Sequence, residues 1–208
     1  MRSTMAQAVF VMSFLLAAGP VLTPQQIQAA IQYGSKYKTM DKFFEKGLKG
    51  KRVMLASAMA ADGISKYATF YNDWQAVAAE AAAANQQMRE LKPDQIQSEG
   101  LLHAFVEIHA RGAIGTGKLD RRYGNERAHL VLKIGEGVVQ PLAKSMIYRS
   151  GQSAAMVLLG ANSGKITLDF AFDVSPADLN SPVEVILIDG DGNKHQQTAD
   201  LKGTLNVE

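Results

Sequence analysis

The strongest constraint on the fold is a change of hydrophobic period near residue 100. Beyond it, apolar and polar side chains alternate, most regularly in residues 102–110 and 165–174. A period of two places successive side chains on opposite faces of an extended strand, so these runs predict half-buried β-strands. Turn-forming residues separate the runs, as in 162–164 and 189–193. The pattern predicts about seven or eight short strands in an antiparallel β-sandwich or barrel.

Helical periodicity is confined to the first half of the chain. Thr23-Pro24 is typical of a helix start, and a short second helix is predicted before Gly47. After a predicted strand at 51–60, an alanine-rich helix over 73–91 ends before Pro93. We therefore expect an α+β fold in which N-terminal helices and the alanine-rich helix pack on the β-sandwich.

The N-terminus resembles an export signal. Arg2 precedes an uncharged run from Met5 to Leu22, and a basic start before a short apolar run is typical of a secretory signal peptide. The predicted organisation is a signal peptide over 1–29, with cleavage between residues 19 and 30, a helical region over 30–50 and a mainly β-sandwich domain over 51–208. A retained membrane anchor and a buried N-terminal helix are the alternatives. The signal-peptide interpretation predicts a periplasmic or secreted location.

Composition excludes several kinds of chemistry. The chain has no cysteine, which excludes disulfides, thiolate metal sites and cysteine nucleophiles. Its 22 basic and 20 acidic residues leave a net charge of +2, which is not the electrostatic footprint of a nucleic-acid-binding protein.

The stretch GAIGTGK, residues 112–118, has the glycine and lysine spacing of a phosphate-binding loop. Such loops place a Ser or Thr after the lysine to hold magnesium and then open a helix. Leu119 follows Lys118 instead, and Gly124 with Asn125 would break a helix soon afterwards. We interpret residues 111–127 as a long basic loop joining two antiparallel strands, and we predict no nucleotide binding.

The histidines suggest one metal or acid–base site. His103, Glu107 and His109 share a strand face, but at about 3.3 Å per residue His103 and His109 lie roughly 20 Å apart. Glu107 and His109 could share a metal ion if His129 on a neighbouring strand joined them. The alternative is an ordinary solvated polar face of the sheet.

A second candidate metal site lies at 189–200. Asp189, Asp191, Asn193 and Asp200 match positions of a calcium loop. Lys194 occupies the position that requires glycine, and the flanking segments are strands. A hairpin turn rich in Asp-Gly is therefore the favoured interpretation, with a weak Ca²⁺ site as the alternative. We expect no other cofactor.

A basic stretch follows the predicted signal. Over residues 36–52, seven basic residues face two acidic ones, and such a patch suits an anionic lipid or an acidic partner. The alternative is a solvated helix face. The basic residues are Lys36, Lys38, Lys42, Lys46, Lys49, Lys51 and Arg52.

No complete catalytic constellation is recognisable in the sequence. The leading hypothesis is an exported, non-enzymatic binding or structural protein of the cell envelope, whose partner is a protein or an anionic envelope component. One alternative is an extracytoplasmic metal-dependent hydrolase that uses His103, Glu107, His109 or His129. A second is a membrane-anchored subunit of an envelope complex.

Overall fold

The computed structural model describes residues 19–57, 63–110, 119, 122–123, 127–150 and 165–207, with only the backbone of Asp41 and of residues 143–150. The helices are α1 (Pro24–Gly34), α2 (Met40–Lys46) and α3 (Asp73–Gln86), with short 3-10 turns at Pro93–Gln95 and Asp178–Asn180. The strands are β1 (Lys51–Ala56), β2 (Ile64–Asn72), β3 (Leu102–Ala110), β4 (His129–Ile134), β5 (Gly137–Val139), β6 (Ala143–Ser150), β7 (Lys165–Phe172), β8 (Val183–Ile188) and β9 (Lys194–Ala199). The predicted α+β class is confirmed.

The strands form two antiparallel sheets. One has five strands in the order β1-β2-β3-β7-β6, and the other has four in the order β5-β4-β8-β9. Because β3 and β4 belong to different sheets, the segment between them crosses from one sheet to the other. The interpretation of residues 111–127 as a loop between paired strands was therefore wrong. Within that segment Leu119 and Tyr123 are fully buried in the core, so these two side chains anchor the crossing.

Apolar residues of both sheets belong to one continuous hydrophobic cluster. The five-stranded sheet supplies alternate residues such as Phe70, Val106 and Leu168, and the four-stranded sheet supplies Leu130 and Val185. These are the inward positions of period-two strands, as the sequence pattern predicts. Burial of this shared surface is the main stabilising term for the β-rich part of the chain.

The helices form a second hydrophobic cluster on the outer face of the five-stranded sheet. Helix α1 begins as predicted, with Thr23 as its N-cap and Pro24 at its first position. A Cβ added to Gly34 would lie only 2.0 Å from the carbonyl oxygen of Ala78. Small residues therefore bring α1 and α3 into close contact, and α3 also contacts β2 and β3 of the sheet.

Two elements differ from the sequence predictions. Strand β2 is absent from the predictions because nearly all of its residues are buried, so it shows little alternation. Helix α3 ends at Gln86 rather than at residue 91, because Met88 adopts a left-handed conformation with φ of 55°. The Arg89 N–H then donates to the Ala84 carbonyl at 2.8 Å, which closes the helix end.

The described chain begins in close contact with the folded protein. The Gly19 N–H donates to the Gly100 carbonyl at 2.8 Å, and the Leu22 N–H donates to the Ser98 hydroxyl at 3.0 Å. Residues 1–18 of the predicted signal lie outside the described residues, and the predicted boundary at residue 30 falls inside α1. No helix in the described part of the chain is both long and apolar enough to span a bilayer.

Candidate functional site

Two depressions flank the junction where β2 runs directly into α3. Tyr71 and Asp73 line a cavity of about 420 Å³, here named the acidic cavity. Asn72 and Trp74 line a groove of about 540 Å³, here named the lysine groove. The alternation of the strand continues through the first two residues of the helix and thus sends neighbouring side chains to two different sites.

Asp73 is the best-bonded side chain of the acidic cavity. Its carboxylate accepts hydrogen bonds from the Ser98 hydroxyl (2.7 Å), the backbone N–H groups of Glu99 (2.9 Å), Gly100 (2.7 Å) and Leu101 (3.2 Å), and His103 Nε2 (2.8 Å). Burial alone would raise the pKa of Asp73, but the hydrogen bonds from His103, Ser98 and Gly100 outweigh it and lower the pKa. Asp73 therefore fixes the segment 98–101 against the start of α3.

Asp169 is the second carboxylate on the floor of this cavity, and its environment is the opposite. Tyr71 donates its hydroxyl to Asp169 Oδ1 at 2.8 Å, and the Tyr71 ring stacks on His103 with centroids 5.4 Å apart. Burial raises the pKa of Asp169 in spite of the nearby His103. Burial and the Asp169 charge also raise the pKa of Tyr71 well above its ordinary value, so Tyr71 stays a protonated donor.

The lysine groove collects positive charge from two separate parts of the chain. Lys49 precedes β1, Lys51 is the first residue of β1, and Lys202 comes from the segment after β9. Among the described residues that line the groove there is no carboxylate. Three lysines without a lining acid make this a local concentration of positive charge in a chain whose net charge is only +2.

Aromatic and amide side chains form the rest of the groove. The rings of Tyr33 and Trp74 lie 5.2 Å apart at 46°, and both residues are half-buried. The hydrogen bond with Tyr37, together with burial, raises the pKa of Tyr33 to about 12. Asn72 donates to the Asn206 carbonyl at 2.6 Å, which joins the two ends of the groove. The remaining lining residues include Gln75, Gly203 and Thr204.

The structure brings together two of the three residues of the first predicted metal site. Glu107 Oε1 lies 3.6 Å from His109 Nε2, whereas His129 lies on β4 in the other sheet. Lys165 (2.9 Å) and Arg52 (3.3 Å) also pair with Glu107. The hydrogen bond from His109 and the two cations lower the pKa of Glu107 to about 2 against the effect of burial. Glu107 is thus the centre of a charge cluster on the outer sheet face.

The second predicted metal site forms the turn between β8 and β9. Asp189 accepts hydrogen bonds from the backbone N–H groups of Asp191 (3.0 Å) and Asn193 (2.9 Å), and Asp191 pairs with Arg122 at 2.6 Å. Burial alone would raise the pKa of Asp189, but the hydrogen bonds from Asn193 and Asp191 outweigh it, so the pKa is lowered. Gly192 has a φ of 81°, as the hairpin interpretation requires. Asp200 lies beyond the other end of β9 and pairs with Lys51 at 3.7 Å.

The predicted basic stretch is divided by the fold. Lys49 and Lys51 enter the lysine groove, and Lys36 lies 5.8 Å above the Tyr33 ring. Arg52 instead belongs to the Glu107 cluster and covers the ring of Tyr67 at 4.3 Å. The other three basic residues, Lys38, Lys42 and Lys46, are exposed on the helical layer.

Several residues of these sites carry no recognisable sequence signal. In the sequence, Asp73 is an ordinary residue for the start of a helix, and Lys202 lies far along the chain from the basic stretch. His103 was noticed, but its partner Asp73 is not on the same strand face and could be found only through the fold. The stretch GAIGTGK lies outside the described residues.

Among the described residues no group of three or more His, Asp or Glu side chains could hold a metal ion. No family model matches the chain, and no curated protein matches it either.

Proposed function

We propose that the chain is an exported, non-enzymatic binding protein whose lysine groove holds an acidic glycan of the cell envelope. The observation that carries this proposal is the convergence of Lys49, Lys51 and Lys202 beside the rings of Trp74 and Tyr33, with no carboxylate among the described lining residues. Ligand sites commonly combine apolar contact area with a few polar groups that fix orientation.

Each class of lining side chain has a role on such a ligand. Lysine ammonium groups donate charge-assisted hydrogen bonds to carboxylate or sulfate groups. A half-exposed Trp provides a flat apolar surface against the C–H face of a sugar ring. The amide and hydroxyl groups of Asn206 and Thr204 can exchange hydrogen bonds with sugar hydroxyls. An acidic peptide and an anionic lipid would use the lysines but have less need of the amides.

Two further parts of the proposal concern architecture and compartment. We infer that the two sheets stack as a β-sandwich, which the single cluster shared by their apolar residues supports. Arg2 and the uncharged run from Met5 to Leu22 support export. A glycan ligand fits a periplasmic or secreted protein, and the exposed lysines of the helical layer would allow contact with an anionic membrane surface.

The direct test is calorimetric titration with trigalacturonic acid, a short acidic sugar. Its fully methyl-esterified form is the matched control, because it has the same ring backbone without the negative charges. We expect the acid to bind and the ester to bind at least about tenfold more weakly, since three ion pairs are lost. The double substitution Lys51→Gln with Lys202→Gln should weaken binding of the acid to a similar extent.

A double substitution elsewhere controls for net charge. Lys133→Gln with Lys194→Gln removes two charges from the four-stranded sheet and should leave binding unchanged. Equal affinity of the groove variant and this control would overturn the proposed site. Binding of anionic phosphatidylglycerol vesicles, but not of the sugar, would replace the glycan with a membrane surface as the ligand.

The compartment is tested by the intact mass of the protein recovered from fractionated cells. A shortened N-terminus in an extracytoplasmic fraction supports export. An intact Met1 in the membrane fraction would indicate an anchored subunit, and an intact chain in the cytosol would contradict the compartment part of the proposal.

A further inference from the structure

We propose that the acidic cavity binds a small organic cation, an ammonium group carried on an apolar body. This site lies on the other side of the β2–α3 junction from the lysine groove and takes a ligand of opposite charge. It does not depend on the proposed glycan function.

The cavity has the dimensions and walls of a small-molecule site. Its volume of about 420 Å³ falls in the range of pockets that enclose small ligands. Helix α3 supplies one wall through Ala76 and Val77, and Ile96 and Phe44 supply others. The Phe44 ring is held in place by stacking on Phe105, with centroids 3.8 Å apart. An apolar body would therefore meet a preformed apolar surface.

Apart from His103, which is bonded to Asp73, the charged side chains that line the cavity are carboxylates. Asp73, Glu80, Glu99 and Asp169 line it, and the described lining residues include no lysine or arginine. Asp73 is already saturated by the donors described above. Glu80 and Glu99 are exposed, so they shape the potential at the cavity mouth rather than its floor. The carboxylate left for direct pairing is Asp169.

Among the described residues Asp169 has no ion-pair partner of its own, because the nearby His103 is bonded to Asp73. Its donors among the described residues are the Tyr71 hydroxyl at 2.8 Å and the backbone N–H of Phe170. None of the described lysines or arginines forms an ion pair with it. A poorly hydrated carboxylate in this position destabilises the free protein unless a positive partner is supplied. A bound ammonium ion would supply that partner and restore the lost hydrogen bonds of solvation.

Aromatic rings strengthen the preference for a cation. Tyr71 and Phe44 both line the cavity, and aromatic faces attract ammonium groups, most strongly where water is excluded. The Tyr71 ring is fixed by its stacking on His103, which Asp73 in turn holds at 2.8 Å. The saturated Asp73 network thus positions the walls, while Asp169 remains available for the ligand.

The test is calorimetric titration with n-hexylammonium, with n-hexanol as the neutral ligand of the same length and n-hexanoate as the anion. We expect hexylammonium to bind at least about tenfold more tightly than hexanol, and hexanoate not to bind. Asp169→Asn keeps an acceptor for Tyr71 but removes the charge, so it should weaken hexylammonium binding at least about tenfold. Glu136→Gln, an exposed change of equal charge far from the cavity, should leave binding unchanged.

Asp169→Asn also separates ligand binding from folding. Because the substitution removes a poorly hydrated charge, the variant should resist urea at least as well as the wild type at pH 7. A second variant, Ala76→Leu, fills the cavity without changing any charge and should abolish binding of hexylammonium. Absence of hexylammonium binding to the wild type, equal binding to Asp169→Asn, or equal binding of hexanol would each overturn the proposal.

Discussion

The acidic cavity and the lysine groove share one strand-to-helix junction, yet they are built in opposite ways. Asp73 and Tyr71 are buried and bonded to protein atoms on the cavity side, whereas Lys49 and Lys202 of the groove are exposed. Burying charge is costly unless every group is paired, so the cavity is coupled to the stability of the fold. Exposed lysines cost little to place, so the groove can change its charge without changing the fold.

The largest expected effect comes from deletion of the N-terminal segment, which packs in the helical cluster. Deletion of residues 1–30 removes Leu22 and Ile27 from the helical cluster and also removes the Leu22 bond to Ser98, the residue that donates to Asp73. At about 1.5–3 kcal/mol for each of these two buried side chains, we expect a loss of about 3–6 kcal/mol in the free energy of unfolding, to which the lost bond to Ser98 adds. Urea denaturation of the deletion variant and the full chain measures this loss of stability.

A shorter deletion that ends at residue 18 is the matched control, because it leaves every contact named above in place. If the longer deletion were as stable as the shorter one, α1 would not belong to the folded core. The same result would make a cleavage site after residue 29 or 30 compatible with the fold.

The next effect tests the claim that the cavity is coupled to folding. Asp73→Ala leaves the donors at Ser98, Gly100 and His103 without their acceptor, and we expect a loss of about 3–5 kcal/mol in the free energy of unfolding at pH 7. The exposed Asp94 is the control, since Asp94→Ala should change stability by less than about 0.5 kcal/mol. A loss below about 1 kcal/mol for Asp73→Ala would contradict the coupling.

The difference in stability between the wild type and Asp73→Ala depends on pH, and the direction of this dependence can be predicted. Because the folded protein lowers the pKa of Asp73, the ionised carboxylate stabilises the fold above its unfolded pKa, and this contribution is lost as the pH falls through the lower folded pKa. The difference in the free energy of unfolding between the wild type and Asp73→Ala should therefore become smaller at acidic pH. Urea titrations at pH 7 and near pH 3 test the trend, and a gap that widens in acid would be inconsistent with it.

The smallest effect concerns the charge balance of the lysine groove. Asp200 pairs with Lys51 at 3.7 Å, but the two side chains are 77% and 40% exposed, so the pair contributes little to stability. Asp200→Asn should change stability by less than about 1 kcal/mol and should raise affinity for trigalacturonic acid roughly two- to fivefold, because Lys51 loses a competing anion. Lower affinity would show that Asp200 helps to hold the ligand.

The sequence predicted those elements whose apolar residues recur at one simple period. Helix α1 and strands β3, β7 and β8 show such a period in their sequences, and the start of α1 follows a local rule, the Thr23 cap. Strand β2 was missed because nearly all of its residues are buried, so it shows little alternation. The extent of α3 was overestimated because nothing local marks Met88 for a left-handed conformation.

The candidate sites were less predictable than the fold. His103 was correctly noticed on a polar strand face, but it pairs with Asp73 across a strand-to-helix junction rather than with Glu107 or His109. The basic stretch pointed to Lys49 and Lys51, whereas Lys202 reaches the same groove from a segment after β9. Neither partner could be inferred from spacing along the chain.

The sequence by itself determined the α+β class, the antiparallel strands of the second half and the chemistry excluded by the absence of cysteine. Those properties follow from local periodicity and composition. The tertiary structure alone decided that the chain crosses between sheets after β3 and that Asp73 and Asp169 line one cavity. It also decided that lysines from distant segments share a groove. These outcomes depend on which strands pair and which helix covers them, and such long-range choices are made by burial of the whole chain.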